Sequence, residues 1–269
     1  MRRSVRIAVL GTSFLLLGVA ANVWPVDWGK CRRTVASELR PEIVVPACSH
    51  IIDGGKASRE DLATAYYLRG RGYHKQGDLD AAITDYDSAI RLKPDLAQAY
   101  NNRGFAFGGK GELDRTFSDY KKAAALGDAD GQANLGLLYA GGVGVAQDFA
   151  EAAKWLQPAA ENGHAVAQHS LGVMYYHGQG VAQDYLRAAI WFRLAAELGL
   201  ANGQTDLGVM YCVGEGVTQN VVVAHMWFSL AAAQGHANAV KARNAVASVM
   251  TPDQIAEAQR LAREWMAAH

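Results

Sequence analysis

Three stretches of this chain are one sentence written three times. Residues 136–148 read GLLYAGGVGVAQD, residues 172–184 read GVMYYHGQGVAQD, and residues 208–220 read GVMYCVGEGVTQN. Gly136, Gly172 and Gly208 fall 36 residues apart, as do Tyr139, Tyr175 and Tyr211. The register runs on through Ala152, Ala188 and Ala224, then Trp155, Trp191 and Trp227, and ends at Gly163, Gly199 and Gly235. A constant period constrains the fold strongly: each block is a unit that cannot bury its apolar face alone and must stack on its neighbours. It also decides how the Gly-x-Gly loop is read. Three matches over a whole period are not a lone ligand loop, whereas a joint between paired helices recurs with the architecture.

Within residues 148–163, Phe149, Ala152, Ala153, Leu156 and Ala160 recur at helical spacing and predict one apolar face. Asp148 stands where a helix cap belongs, and Glu151 three residues on predicts a capping box. Asp148 and Asp184 resemble metal ligands only until Asn220 takes the same place in the third block; capping accounts for all three. The glycines at 136, 172 and 208 let paired helices approach closely. The tryptophans at 155, 191 and 227 read as a core stripe between units, and Pro158 predicts a local bend.

An earlier repeat precedes these. In residues 63–94, Tyr66, Gly70, Tyr73, Ala82, Tyr86, Ala89 and Pro94 resemble a tetratricopeptide repeat, and Tyr100, Gly104, Phe107, Tyr120 and Ala123 continue it over 97–128. The second unit departs with Thr116 at a small-residue position and no closing proline. The 36-residue units resemble Sel1-like repeats. The resemblance implies an all-α fold, a right-handed α-solenoid of two tetratricopeptide-like units (60–128) and three Sel1-like units (129–236). Residues 22–59 would form a cysteine-containing front cap and 237–269 a rear cap. Thr251, Pro252 and Gln254 open the final helix, with Ile255, Ala258, Ala262 and Trp265 as its covering face, and Ser58 with Asp61 opens the first repeat.

The N-terminus carries a targeting signal. MRRSVR is basic, Ile7 to Ala21 is a short apolar run, and VAA at 19–21 supplies small residues for cleavage before Asn22. The alternative is an uncleaved inner-membrane anchor reaching Val26, at about the ~20 residues a span needs. Both readings export the remainder, to the periplasm or beyond. Export in turn favours a disulfide between Cys31 and Cys48 over two separate buried thiols. Cys212 has no obvious partner and reads as a packed free thiol. Lys plus Arg equals Asp plus Glu at 26 each, and without Arg2, Arg3 and Arg6 the balance is 23 basic to 26 acidic. There is no basic tract, hence no nucleic-acid footprint.

The sequence contains no His-Glu-x-x-His, Gly-x-Ser-x-Gly, Cys-x-x-Cys or phosphate-loop lysine, and it predicts no catalytic residue, metal or cofactor. His164 and His236 follow a repeat-closing glycine and read as helix-start residues. His169 and His177 lie about 12 Å apart along one helix, too far to share a metal. By resemblance, a partner groove would be lined by Thr64, Tyr67, Arg71, His74 and Lys75 in the first unit. Gln98, Asn101, Asn102 and Phe105 follow in the second. His169, Val173, Tyr176 and His177, then Thr205 and Val209, come from the Sel1-like units. This mixture suits an extended protein or peptide segment, with Arg and Lys holding carboxylates. The resemblance implies a non-catalytic exported adaptor in the bacterial envelope, a setting where such proteins serve assembly, polysaccharide control and signalling. A second class, secreted Sel1-like hydrolases acting on β-lactams or cell-wall fragments, carries paired cysteines in each repeat; this repeat region has Cys212 alone.

Overall fold

A computed structural model describes residues 24–32 and 39–269. The targeting segment expected at residues 1–21 lies outside them. Helices α1 (Trp24–Cys31) and α2 (Pro41–Asp53) precede the paired units. The pairs are α3 (Arg59–Gln76) with α4 (Leu79–Leu92), α5 (Ala97–Gly109) with α6 (Leu113–Ala125), α7 (Ala129–Gly141) with α8 (Phe149–Glu161), α9 (Ala165–His177) with α10 (Tyr185–Glu197), and α11 (Ala201–Val213) with α12 (Val221–Ala233). Helices α13 (Ala237–Ala247) and α14 (Pro252–Ala268) follow. Each helix from α1 to α12 packs on the next in sequence, and α14 folds back onto α12. No strand occurs among the described residues.

The repeat glycines set the spacing within a pair. A Cβ on Gly172 would lie 2.5 Å from the Phe192 ring, and one on Gly136 or Gly208 would lie 2.6 Å from Leu156 or Phe228. The same contact recurs in the first units, where Gly70 meets Tyr86 and Gly104 meets Tyr120. Because the first helix has no side chain there, the second can sink a large apolar group against its backbone. Trp155 packs beside Tyr120, Ala124 and Leu135 of the preceding helices. Trp191 lies against the α7–α9 cluster, and Trp227 is buried beside Trp265 of α14. The aromatic stripe is core, not a ligand cage.

The helix starts follow their caps. The side chains of Asp148, Asp184 and Asn220 accept backbone N–H bonds in the first turns of α8, α10 and α12. Thr251 and Gln254 form a reciprocal capping box on α14. The box expected at α8 is half made: Glu151 turns to Lys154 at 3.0 Å, while the Asp148 N–H already donates to the Tyr139 carbonyl. Pro41 opens α2, and the helix continues through Pro46 and packs Val44, Ala47, Cys48 and Ile51 into the front core. Pro158 lies in α8, which runs on to Glu161; its missing N–H costs one bond in a helix held by Leu156, Ala159 and Ala160. Cys31 and Cys48 are bonded, with Cα atoms 5.1 Å apart and both residues fully buried.

Candidate functional site

The repeated loops are structural. Gly142, Gly178 and Gly214 end their helices in the left-handed conformation. The amides of Gln147, Gln183 and Gln219 then donate to the carbonyls of Ala140, Tyr176 and Cys212 at 2.7–2.8 Å. The second glycine of each Gly-x-Gly presses on the preceding unit: a Cβ on Gly180 would lie 2.3 Å from the Phe149 carbonyl, and one on Gly216 2.0 Å from that of Tyr185. Each loop locks one unit to the last, with its glycines committed and no cradle left for an anion.

The predicted groove residues separate into two concavities. Arg71, His74, Lys75, Asn102 and Phe105 line one of about 440 Å³ between α3 and α5, with Tyr86 beneath. The Tyr67 hydroxyl accepts from Asn102 at 3.3 Å, and the His74 and Phe105 rings lie 5.2 Å apart. Lys75 Nζ donates to the Leu39 carbonyl, tying the front cap to this edge. Burial holds His74 below its ordinary range and pushes the Tyr67 and Tyr86 hydroxyls up. The Tyr86 hydroxyl has no hydrogen-bond partner among the described residues. Thr64 bonds back to the Glu60 carbonyl, and Gln98 is exposed.

Asn101 is turned inward: it is buried, and its Oδ1 accepts from Asn134 at 2.9 Å, joining α5 to α7. Thr205 is also buried, between the Ala201 carbonyl at 2.7 Å and His236 Nδ1 at 3.0 Å. Both serve the stack rather than its surface. The second concavity, about 130 Å³, is lined by Val173, Tyr176, His177, Asp206 and Val209. Two of its polar groups, Asp206 and Tyr176, are paired. His169 meets Asp206 at 2.7 Å, and Tyr176 donates to Glu215 at 2.7 Å, a bond that pushes its own titration up to about 12.

Sequence reasoning missed two buried ion pairs. Arg69 grips Asp85 through two bonds of 2.7 and 2.8 Å, and Arg103 grips Asp119 through two of 2.7 Å while reaching Asp87. The signal was present: Arg69 and Arg103, like Asp85 and Asp119, stand one 34-residue repeat apart. Among the described residues, these pairs leave Arg71 as the groove guanidinium without a carboxylate; its guanidinium lies over the Tyr67 ring, 5.9 Å away. Cys212 is half-buried, and burial pushes its thiol up, away from reactivity. No group of side chains suited to a metal occurs among the described residues, and no described helix is long and apolar enough to cross a membrane.

Helical hairpins stacked at a fixed period, with glycine contacts within pairs and loops locked between them, define an α-solenoid repeat protein. Residues 129–164, 165–200 and 201–236 each match the Sel1 repeat, and residues 70–111 match the tetratricopeptide (TPR) repeat. The chain belongs to the Sel1-like and tetratricopeptide repeat proteins. It is similar to a protective antigen of uropathogenic Escherichia coli that displays an SLR fold, at 26% identity and a TM-score of 0.59, covering 85% of this chain. The chain spans only 54% of that antigen's length. A Sel1 repeat protein from Oxalobacter formigenes shares the fold more fully, at 23% identity and a TM-score of 0.67, over 82% of this chain and 92% of its own. The immunity protein Pa5087 from Pseudomonas aeruginosa aligns at 20% identity and 0.50, over 77% and 81%. No curated protein matches the chain.

Proposed function

We propose that this protein is an exported, non-catalytic adaptor that holds an acidic segment of a protein or peptide partner in the α3–α5 groove. The observation that carries the reading is the pairing pattern of the arginines. Arg69 and Arg103, on the same two helices, are each satisfied by carboxylates, whereas Arg71 faces the groove without one among the described residues. A half-buried guanidinium beside Asn102 and Lys75 is a ready seat for a carboxylate, which it can grip through two parallel bonds. Phe105, 59% exposed at the rim, offers an apolar face to the neighbouring partner residue.

Export is supported by the basic start, the short apolar run and the small residues at 19–21, and by a disulfide that suits an oxidising compartment. The test is capture of partners from an envelope extract, followed by fluorescence anisotropy with the acidic segment of the captured protein. The double variant Tyr67→Ala with Arg71→Ala should lose at least about tenfold in affinity, the scale of one charge-assisted hydrogen bond, while its melting curve holds. Unchanged affinity would remove the groove from the reading.

A further inference from the structure

At the far end of the stack, helices α12, α13 and α14 enclose a cleft of about 280 Å³ that the groove reading does not use. Arg243 enters from α13 and Arg263 from α14, with His225 and Ser229 of α12 at its base and Gln259 on its wall. The charge in this cleft is unbalanced. Arg263 has no ion pair or hydrogen bond among the described residues, and Arg243 bonds only the neutral amide oxygen of Asn244, at 3.2 and 3.4 Å. The nearby acids of α14, Glu257 and Glu264, are both taken by Arg260. No carboxylate of the described residues lines the cleft.

His225 is built in rather than draped over the surface. It is 4% exposed, and Nδ1 lies 3.4 Å from Ser229 Oγ, whose hydroxyl donates to the His225 carbonyl at 2.8 Å. Nε2 makes no bond among the described residues. The ring lines the cleft beside Arg243 and Arg263, the two guanidiniums that are the charged groups of its lining among the described residues. Burial and the Arg243 charge hold this imidazole below its ordinary range, the direction a positive cleft imposes.

We infer that this cleft binds a phosphoryl group, gripped by Arg243 and Arg263, with Gln259 as a further polar contact. Two guanidiniums match a dianionic oxyanion in charge and can each meet two of its oxygens. The small volume fits a headgroup, and Ala262 with half-exposed Met266 gives the adjoining apolar wall. The site is independent of the α3–α5 groove and stands or falls without it.

The test is a nuclear magnetic resonance titration of the exported chain with inorganic phosphate, at constant ionic strength set by chloride. Saturable shifts confined to α12–α14 are expected, with binding at least about tenfold weaker in Arg243→Gln with Arg263→Gln. Arg263→Gln alone changes an exposed residue and guards against loss of fold. Co-sedimentation with phosphatidylglycerol vesicles separates the sources. Arginine-dependent vesicle binding assigns the phosphoryl group to a lipid headgroup; phosphate binding without vesicle binding assigns it to a soluble ligand. Shifts that fail to saturate, or that persist unchanged in the double variant, overturn the inference.

Discussion

Alanine substitution at two glycines separates the cost of backbone conformation from the cost of contact between units. Gly163 and Gly180 both have positive φ, at 83° and 68°, so Ala at either pays about 1 kcal/mol for the left-handed region. There the similarity ends. A Cβ on Gly163 meets nothing within 4 Å, whereas one on Gly180 would sit 2.3 Å from the Phe149 carbonyl and 2.7 Å from the Ala150 nitrogen. Ordinary contact begins near 3.4 Å, so the loop must retreat by about an ångström from a backbone that cannot yield. Retreat drags Val181 from the α7–α9 core and forfeits much of its dispersion contact. Overpacking of this kind adds about 2 kcal/mol, giving a total of about 3 kcal/mol for Gly180→Ala against about 1 for Gly163→Ala. At 2–4 °C per kcal/mol for a chain of this size, thermal melts should place Gly180→Ala roughly 6–12 °C below the parent and Gly163→Ala roughly 2–4 °C below. Gly216→Ala should match Gly180→Ala. Gly144→Ala should fall between, since its nearest neighbour is the Leu113 side chain at 3.1 Å. Equal losses at Gly163 and Gly180 would refute the claim that these loops lock the units together.

Asp85→Ala should cost about 3 kcal/mol in urea denaturation, because it strands a guanidinium whose side chain is 17% exposed; Arg69→Met with Asp85→Leu should cost less than Asp85→Ala alone. Replacing Cys31 and Cys48 with serine opens a loop of 17 residues and should lower stability by about 3 kcal/mol, read as earlier proteolysis ahead of Arg59. His74 and His225 are held below 6.5 in the fold and return toward it when unfolded, so the unfolded chain takes up protons first as pH falls. Stability present above about pH 6.5 should therefore decline toward pH 5; thermal melts of His74→Gln with His225→Gln should show a shallower decline, and an identical slope would refute the assignment.

The solenoid was legible because its determinants are periodic. A glycine recurring every 36 residues, opposite a large side chain, announces a helix contact before any coordinate is known, and Asn220 in place of aspartate turned an apparent ligand into a cap. The groove was less legible because exposure depends on how one unit rotates against the next. Asn101 and Asn102 are neighbours in sequence, yet one bonds Asn134 inside the stack and the other bonds Tyr67 at the groove. That rotation is the sum of many side-chain contacts between units, and no single residue type reports it. The Arg69–Asp85 and Arg103–Asp119 pairs were hidden differently: each partner alone looks like a solvated charge, and only the shared 34-residue spacing betrays that the carboxylates lie against the preceding helix. The cleft at His225 was hidden most deeply, since it belongs to no repeat. It forms where α13 and α14 break the period to close the stack, bringing Arg243 and Arg263 from two non-repeating helices over the last regular one. A period exposes whatever the architecture needs in every unit. What the chain does only once, it is free to do where the period stops.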